Sequence, residues 1–137
     1  MNDMTKNMIA IGLGSAIGTF FRYLLNVFTL EVGYPLGTVL ENIGGSFLLG
    51  FLTAWFVVFV PKEWIKTGLG VGLCGGFTTM STLAADSVLL YNVHPSESMI
   101  YVMTSLFGGI LFALLGFVMA TRLAKRRKEK RVGGVNS

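Results

Sequence analysis

Apolar positions in this chain do not alternate with polar ones; they run in long blocks. Four stretches are nearly free of charge: residues 8–30 contain only Arg22, 35–60 only Glu41, 67–91 only Asp86, and 98–121 no charged residue. Each is at least 23 residues long, enough to cross a hydrocarbon core about 30 Å thick as a helix. A helix on the surface of a soluble bundle carries a charged and polar face along its length, and none of the four does. The pattern predicts an all-α membrane protein with four transmembrane helices, in a single membrane domain spanning about 8–30, 35–60, 67–91 and 98–121. The connections 31–34, 61–66 and 92–97 are short, so consecutive helices run antiparallel. Arg22 inside the first span, and the lack of a small-residue cleavage site, argue against a removable signal peptide.

The net charge of +4 suggests a nucleic-acid binder until the charges are located. Four crossings put the N-terminus, the second connection and the C-terminus on one side. That side collects Lys6, Lys62, Lys66, Arg122, Lys125, Arg126, Arg127, Lys128, Lys130 and Arg131, ten of the 11 basic residues. The other two connections hold no Lys or Arg. This bias predicts one fixed orientation with both termini cytoplasmic. The basic tail, 122–137, reads as a topology determinant and an anchor to anionic lipid, with no nucleic-acid partner. A chain 53% hydrophobic and 13% charged is not disordered. One cysteine, Cys74, and one histidine, His94, supply neither an internal disulfide nor the usual zinc ligand sets. Gly12-Leu13-Gly14 is a fragment of a dinucleotide loop with no strand before it. With no nucleophile–base pattern either, the chain does not read as an enzyme.

Ionisable groups within a span are expensive and mark functional sites by default. Arg22 and Glu41 lie at similar depths, about two turns from the outer ends of the first and second spans. They read either as a structural ion pair or as a vestibule cation that attracts an anion, tuned by Glu41. Asp86 and Tyr91 fall near the outer surface, where solvation makes them less informative. Thr38, Asn42 and Ser46 repeat at i, i+4 and i+8, one polar strip on the second helix. Such a strip either bonds a neighbouring helix or lines a pore, and the two N–H donors of Asn42 suit an anion.

The third span carries Gly75-Gly76-Phe77-Thr78-Thr79-Met80-Ser81-Thr82 at its middle. Two glycines followed by β-branched threonines are poor helix formers, so the span is expected to break near the bilayer midplane. Freed carbonyls are tolerated there only inside protein or on a cavity wall. They suit a monovalent cation, while the hydroxyls suit an anion. Glycine, at 18 residues, makes up about 13% of the chain against a usual ~7%. Gly14 and Gly18 form a small-xxx-small pair, and Gly68, Gly72 and Gly76 a longer ridge, both suited to close helix packing. Four helices enclose a polar path poorly, so a dimer is expected.

These residues resemble the Fluc (CrcB-type) fluoride channel family across all four spans. Its spaced glycines before an arginine are matched by Gly14, Gly18 and Arg22. Its second-helix pattern is matched by Gly37, Thr38, Asn42, Gly45, Ser46, Phe47 and Gly50. Its third-helix signature, GGFTTFSTF, is retained at seven of nine positions over 75–83. The resemblance implies an antiparallel dimer in the bacterial inner membrane, conducting fluoride passively through pores that flank a central sodium ion. It implies that Gly75 and Thr78 offer backbone carbonyls to sodium, that Asn42 donates to fluoride, and that Arg22 draws anions inward. Thr38, Ser46, Phe77, Thr79, Met80, Ser81, Thr82 and Leu83 become the other pore candidates.

The departures bear on the pore. Met80 and Leu83 stand where the family has two pore phenylalanines, whose ring edges are electropositive. Glu41 stands where an apolar residue is usual, beside the pore asparagine. The charge bias opposes insertion both ways, which a self-pairing antiparallel dimer needs. It resembles instead the subset of the family whose two homologous subunits insert oppositely as a heterodimer. A non-conducting accessory subunit is a second reading. A small four-helix multidrug exporter is a third, weakened because such transporters use a first-helix glutamate where this chain has Arg22.

Overall fold

The computed structural model describes residues 2–133. Helix α1 (Asp3–Thr29) starts where the Asn2 side chain accepts from the Met4 amide at 3.1 Å, capping an otherwise unsatisfied N–H. It closes through a 3₁₀ turn, Leu30–Val32, into Gly33 at φ +67°, a left-handed backbone that glycine adopts without a Cβ penalty. Helix α2 (Leu36–Phe59) stops just before Val60-Pro61, because the residue before proline is pushed out of the helical region. The third pass is composite: α3 (Glu63–Lys66), a π-helical stretch Thr67–Cys74, α4 (Gly75–Phe77) and α5 (Met80–Val93). Helix α6 (Pro95–Gly133) opens with proline at its first position, where the missing N–H costs nothing.

Four passes, Asp3–Val32, Leu36–Phe59, Glu63–Val93 and Pro95–Glu129, are long and apolar enough to cross a membrane. The protein is a four-helix all-α membrane chain whose third pass is broken near its middle. The basic segment expected as a tail from 122 continues α6 as helix, consistent with its run of Ala, Lys, Arg and Glu, all good helix formers. Residues 134–137 of that tail lie outside the described residues, and Lys130 and Arg131 are described as backbone only.

Contacts fix the directions of the passes. Thr29 and Asn26 of α1 meet Gly37 of α2, so those helices run antiparallel. Ala10, Ile11 and Ser15 of α1 meet Gly68, Gly72 and Gly76 in order, so α1 runs parallel to the third pass. Ile43, Ser46 and Gly50 of α2 meet Gly108, Gly109 and Ala113 in order, against a parallel α6. One end of the bundle therefore gathers Lys6, Lys62 and Lys66 with the basic end of α6. There Arg127 lies 5.8 Å from the Trp55 ring centroid, a cation–π contact. Trp55 continues an aromatic ladder on α2 through Phe47, Phe51 and Phe59.

Glycine makes this packing possible. A Cβ at Gly14 would overlap the Gly68 carbonyl, and one at Gly18 would overlap the Leu73 carbonyl. Backbones this close gain dispersion and weak Cα–H···O contacts where water supplies no hydrophobic drive. The buried apolar cluster of Val39, Leu83 and Tyr101, flanked by Tyr34, Ile43, Leu90 and Val102, lies away from the basic end. Most other large apolar side chains face outward, as for Phe28 and Phe107.

Candidate functional site

The break in the third pass falls at two residues. Thr78 (φ −79°, ψ 158°) and Thr79 (φ −150°, ψ 125°) are extended between α4 and α5. Extended backbone amid helices leaves peptide groups that must find partners. Asn42 of α2 supplies them. Its Nδ2 donates to the Thr79 carbonyl at 3.0 Å, and its Oδ1 accepts from the Thr79 N–H at 2.8 Å. One carboxamide thus clamps both sides of one residue, leaving Asn42 a single free N–H from its two.

Thr79 itself starts the next helix. Its hydroxyl accepts from the Thr82 amide at 3.3 Å, capping α5, and lies 3.0 Å from the Thr82 hydroxyl and 3.3 Å from that of Ser81. Thr78 Oγ1 turns back to the Cys74 carbonyl at 3.1 Å. Phe77 packs its ring over Gly44 and Gly45 of α2.

The strip on α2 faces the break and α6. Thr38 donates to Asp86 Oδ2 at 2.9 Å, and the Tyr101 hydroxyl donates to the same oxygen at 2.8 Å. Asp86 is therefore the hub of three helices, and more informative than its place near the outer surface suggested. Tyr101 is fully buried, and the Tyr34 ring meets it edge-on with centroids 6.0 Å apart. Burial, and after it the Glu97 carboxylate, push the Tyr34 phenol above its ordinary range.

Beside the break lies a cavity of about 750 Å³. Asn42, Ser46, Thr78, Thr79, Met80, Leu83 and Ser105 meet in its wall. Ser105 Oγ is buried with no hydrogen-bond partner, a free donor on that wall. Tyr101 and Ser105 were missed in the sequence, although their i, i+4 spacing makes the same kind of strip as Thr38, Asn42 and Ser46. Met80 and Leu83 part company within this chain: Met80 is 69% exposed, whereas Leu83 is 5% exposed in the core cluster.

Arg22 and Glu41 do not form the ion pair that equal depth suggested. The Arg22 guanidinium donates to the Thr78 carbonyl at 3.4 Å. Glu41 is fully buried and accepts from Asn26, one turn beyond Arg22, at 2.6 Å. Its second oxygen has no partner. Among the described residues the ion pairs are local, Lys6–Asp3 and Lys66–Glu63.

The expected sodium site is corrected. Among the described residues no group of three or more His, Cys, Asp or Glu is placed to hold a metal ion. The Thr78 carbonyl, one of the two expected ligands, already accepts from a guanidinium. A cation there would face like charge, and Gly75 and Thr78 are not kept as metal ligands.

What the arrangement offers is a short extended segment near mid-membrane, a neutral carboxamide with one spare N–H, several hydroxyls and a nearby guanidinium. These are donors suited to a small, strongly hydrated anion. Comparison with known proteins agrees with this chemistry. The family described as CrcB-like protein, Camphor Resistance (CrcB), matches residues 9–117. The chain is 68% identical over 133 residues to Fluoride-specific ion channel FluC 2 of Halalkalibacterium halodurans, covering 97% of this chain and 99% of the relative. It is 41% identical over 121 residues to FluC 2 of Bacillus subtilis, covering 88% and 92%. It is 39% identical over 119 residues to the FluC channel of Methanopyrus kandleri, covering 84% and 89%.

Proposed function

The chain belongs to the CrcB-like family, and from that premise we propose that it is a subunit of a fluoride-selective channel giving passive export and fluoride resistance. It is not an enzyme. The observation that carries the reading is the clamped break: Thr78 and Thr79 extended in mid-span, held by Asn42 on the wall of the 750 Å³ cavity. Relatives whose name is fluoride-specific ion channel share 68%, 41% and 39% identity with it. A narrow line of amide and hydroxyl donors replaces part of the hydration shell, and weak sites let the ion leave. Arg22 draws anions toward the break. Asn42, with its spare N–H, and Thr38, Ser46, Phe77, Thr79, Met80, Ser81, Thr82 and Leu83 line or shape the path. Glu41 opposes Arg22 from the neighbouring helix and tunes the local potential.

The working unit is an antiparallel dimer. Ten basic residues at one end of the bundle support a single orientation in a bacterial cell membrane, with both termini cytoplasmic and the basic end of α6 on anionic lipid. One fixed orientation favours a homologous partner inserted the opposite way over a second copy. The exposed Met80 favours a companion reading in which this subunit's own pore is degraded and the partner's conducts.

Growth on fluoride of a bacterial strain stripped of its own fluoride exporters tests the proposal. Co-expression of this chain with an oppositely biased homologue restores growth, and either alone restores less. Full rescue by this chain alone refutes the obligate partner. Failure of every combination, with the proteins present in the membrane, refutes the channel.

A further inference from the structure

The cavity beside the break does not end there. Its lining runs along the third pass to Thr67, Lys66 and Glu63 at the basic end of the bundle. Among the described residues, Lys66 is the one basic residue on its wall. Between the two ends the walls include Leu49, Gly70, Val71 and Ile110, apolar surfaces that focus the field of a charge at the opening. Twelve residues separate Lys66 from Thr78, at most about 18 Å at the α-helical rise of 1.5 Å per residue, and less where Thr67–Cys74 winds wider. At that distance an ammonium does not ligate an ion at the break; it raises the anion concentration where the cavity opens.

The lysine is not alone. Its Nζ lies 3.2 Å from Glu63 Oε2, and the glutamate is the more exposed of the two, 65% against 34%. The carboxylate therefore stands on the water side of the ammonium and offsets part of its field. An exposed pair three residues apart on one turn contributes little to stability, about 0–1 kcal/mol, and nine other basic residues remain at that end to hold the orientation. Neither the stability of this pair nor the orientation, which the other nine basic residues hold, requires a cation on this wall.

We propose that Lys66 is an anion-gathering residue at the mouth of the cavity leading to the Thr78–Thr79 break, with Glu63 as its attenuator. This rests on the fluoride-conducting reading above. It adds a second cation to the path, at the basic end, distinct from Arg22 at the break.

Screening separates this role from a structural one. The Debye length is about 30 Å at 0.01 M salt and about 3 Å at 1 M, so a charge acting across up to about 18 Å is felt at the first and silent at the second. Fluoride efflux is measured from liposomes holding the wild-type channel, with its partner subunit where conduction requires one, in potassium gluconate at both strengths. At 0.01 M, Lys66→Gln lowers flux about 1.5-fold, the effect of one unit charge across a largely aqueous path of this length. Glu63→Gln raises it by a similar factor, and Lys66→Arg matches wild type. At 1 M all four coincide. Equal flux from Lys66→Gln and wild type at 0.01 M overturns the proposal, as does a loss of the same size at both strengths. A silent wild-type channel overturns the conduction reading and this role with it, whereas a conducting wild type indifferent to Lys66 overturns this role alone.

Discussion

Replacing Asn42 with alanine removes both hydrogen bonds that hold the Thr79 peptide, the 3.0 Å bond to its carbonyl and the 2.8 Å bond from its N–H. Thr79 is 6% exposed, so water does not substitute freely for the lost partners. Side-chain hydrogen bonds in membrane interiors average about 0.6 kcal/mol and reach about 1.7. Two bonds on one residue therefore place the loss at about 1–3 kcal/mol. Asn42→Asp separates the two bonds: its oxygen still accepts from the Thr79 N–H, but a second oxygen now faces the Thr79 carbonyl. It should destabilise at least as much as alanine. Reversible unfolding in mixed detergent micelles measures both losses, and fluoride flux is recorded on the same preparations. An Asn42→Ala protein as stable as wild type would refute the clamp, and a loss of flux would then report anion contact alone.

Other consequences are sharp enough to measure. A Cβ at Gly72 would lie 2.8 Å from the Ile11 carbonyl oxygen and 3.1 Å from the Gly14 Cα, so Gly72→Leu should cost about 1–3 kcal/mol or more by overpacking. Gly12→Ala, with nothing within 4 Å of the new methyl, should be neutral or slightly stabilising; equal losses at both positions in detergent unfolding would contradict the helix contact. Tyr101→Phe strips one of two donors from Asp86 and should cost about 1.5–3 kcal/mol, the range for bonds to charged groups; an unchanged midpoint counts against the hub. Burial first, and Glu97 second, raise the Tyr34 phenol above its ordinary value near 10. The unfolded phenol ionises first, so Tyr34's contribution is complete below about pH 10 and is lost as pH rises through the folded value. Tyr34→Phe should flatten the alkaline limb of a stability-against-pH curve, and an identical limb would contradict this.

The four passes were legible because membrane burial writes itself into one dimension: a charge-free run either is or is not long enough. The break was legible for a related reason, since Gly75-Gly76 followed by Thr78-Thr79 is a poor helix whatever surrounds it. The glycine contacts also followed from spacing, with Gly14 and Gly18 seated against Gly68, Leu73 and Phe77. Sequence could not show which polar groups meet. Depth along a helix does not fix direction around it, so Arg22 and Glu41 at equal depth turn to different partners, Thr78 and Asn26. Asp86 finds Thr38 and Tyr101 at 48 and 15 residues' separation, a convergence set by how three helices pack. The π-helical stretch Thr67–Cys74 was likewise hidden, because its wider turn answers to the glycine packing against α1 and leaves no periodicity of its own in so apolar a run. The sodium expectation came from the freed carbonyls of the break and from the resemblance, but sequence could not show that the Thr78 carbonyl is held by Arg22.

A passive, fluoride-selective path through this subunit is open to direct measurement. Liposomes loaded with potassium fluoride and potassium chloride, carrying this subunit with its oppositely inserted homologue and shunted by a potassium ionophore, test it with two ion-selective electrodes. Fluoride release should run to completion without nucleotide or proton gradient, while chloride stays inside. Chloride leaving alongside fluoride, or fluoride retained by vesicles shown to hold the folded dimer, would contradict it.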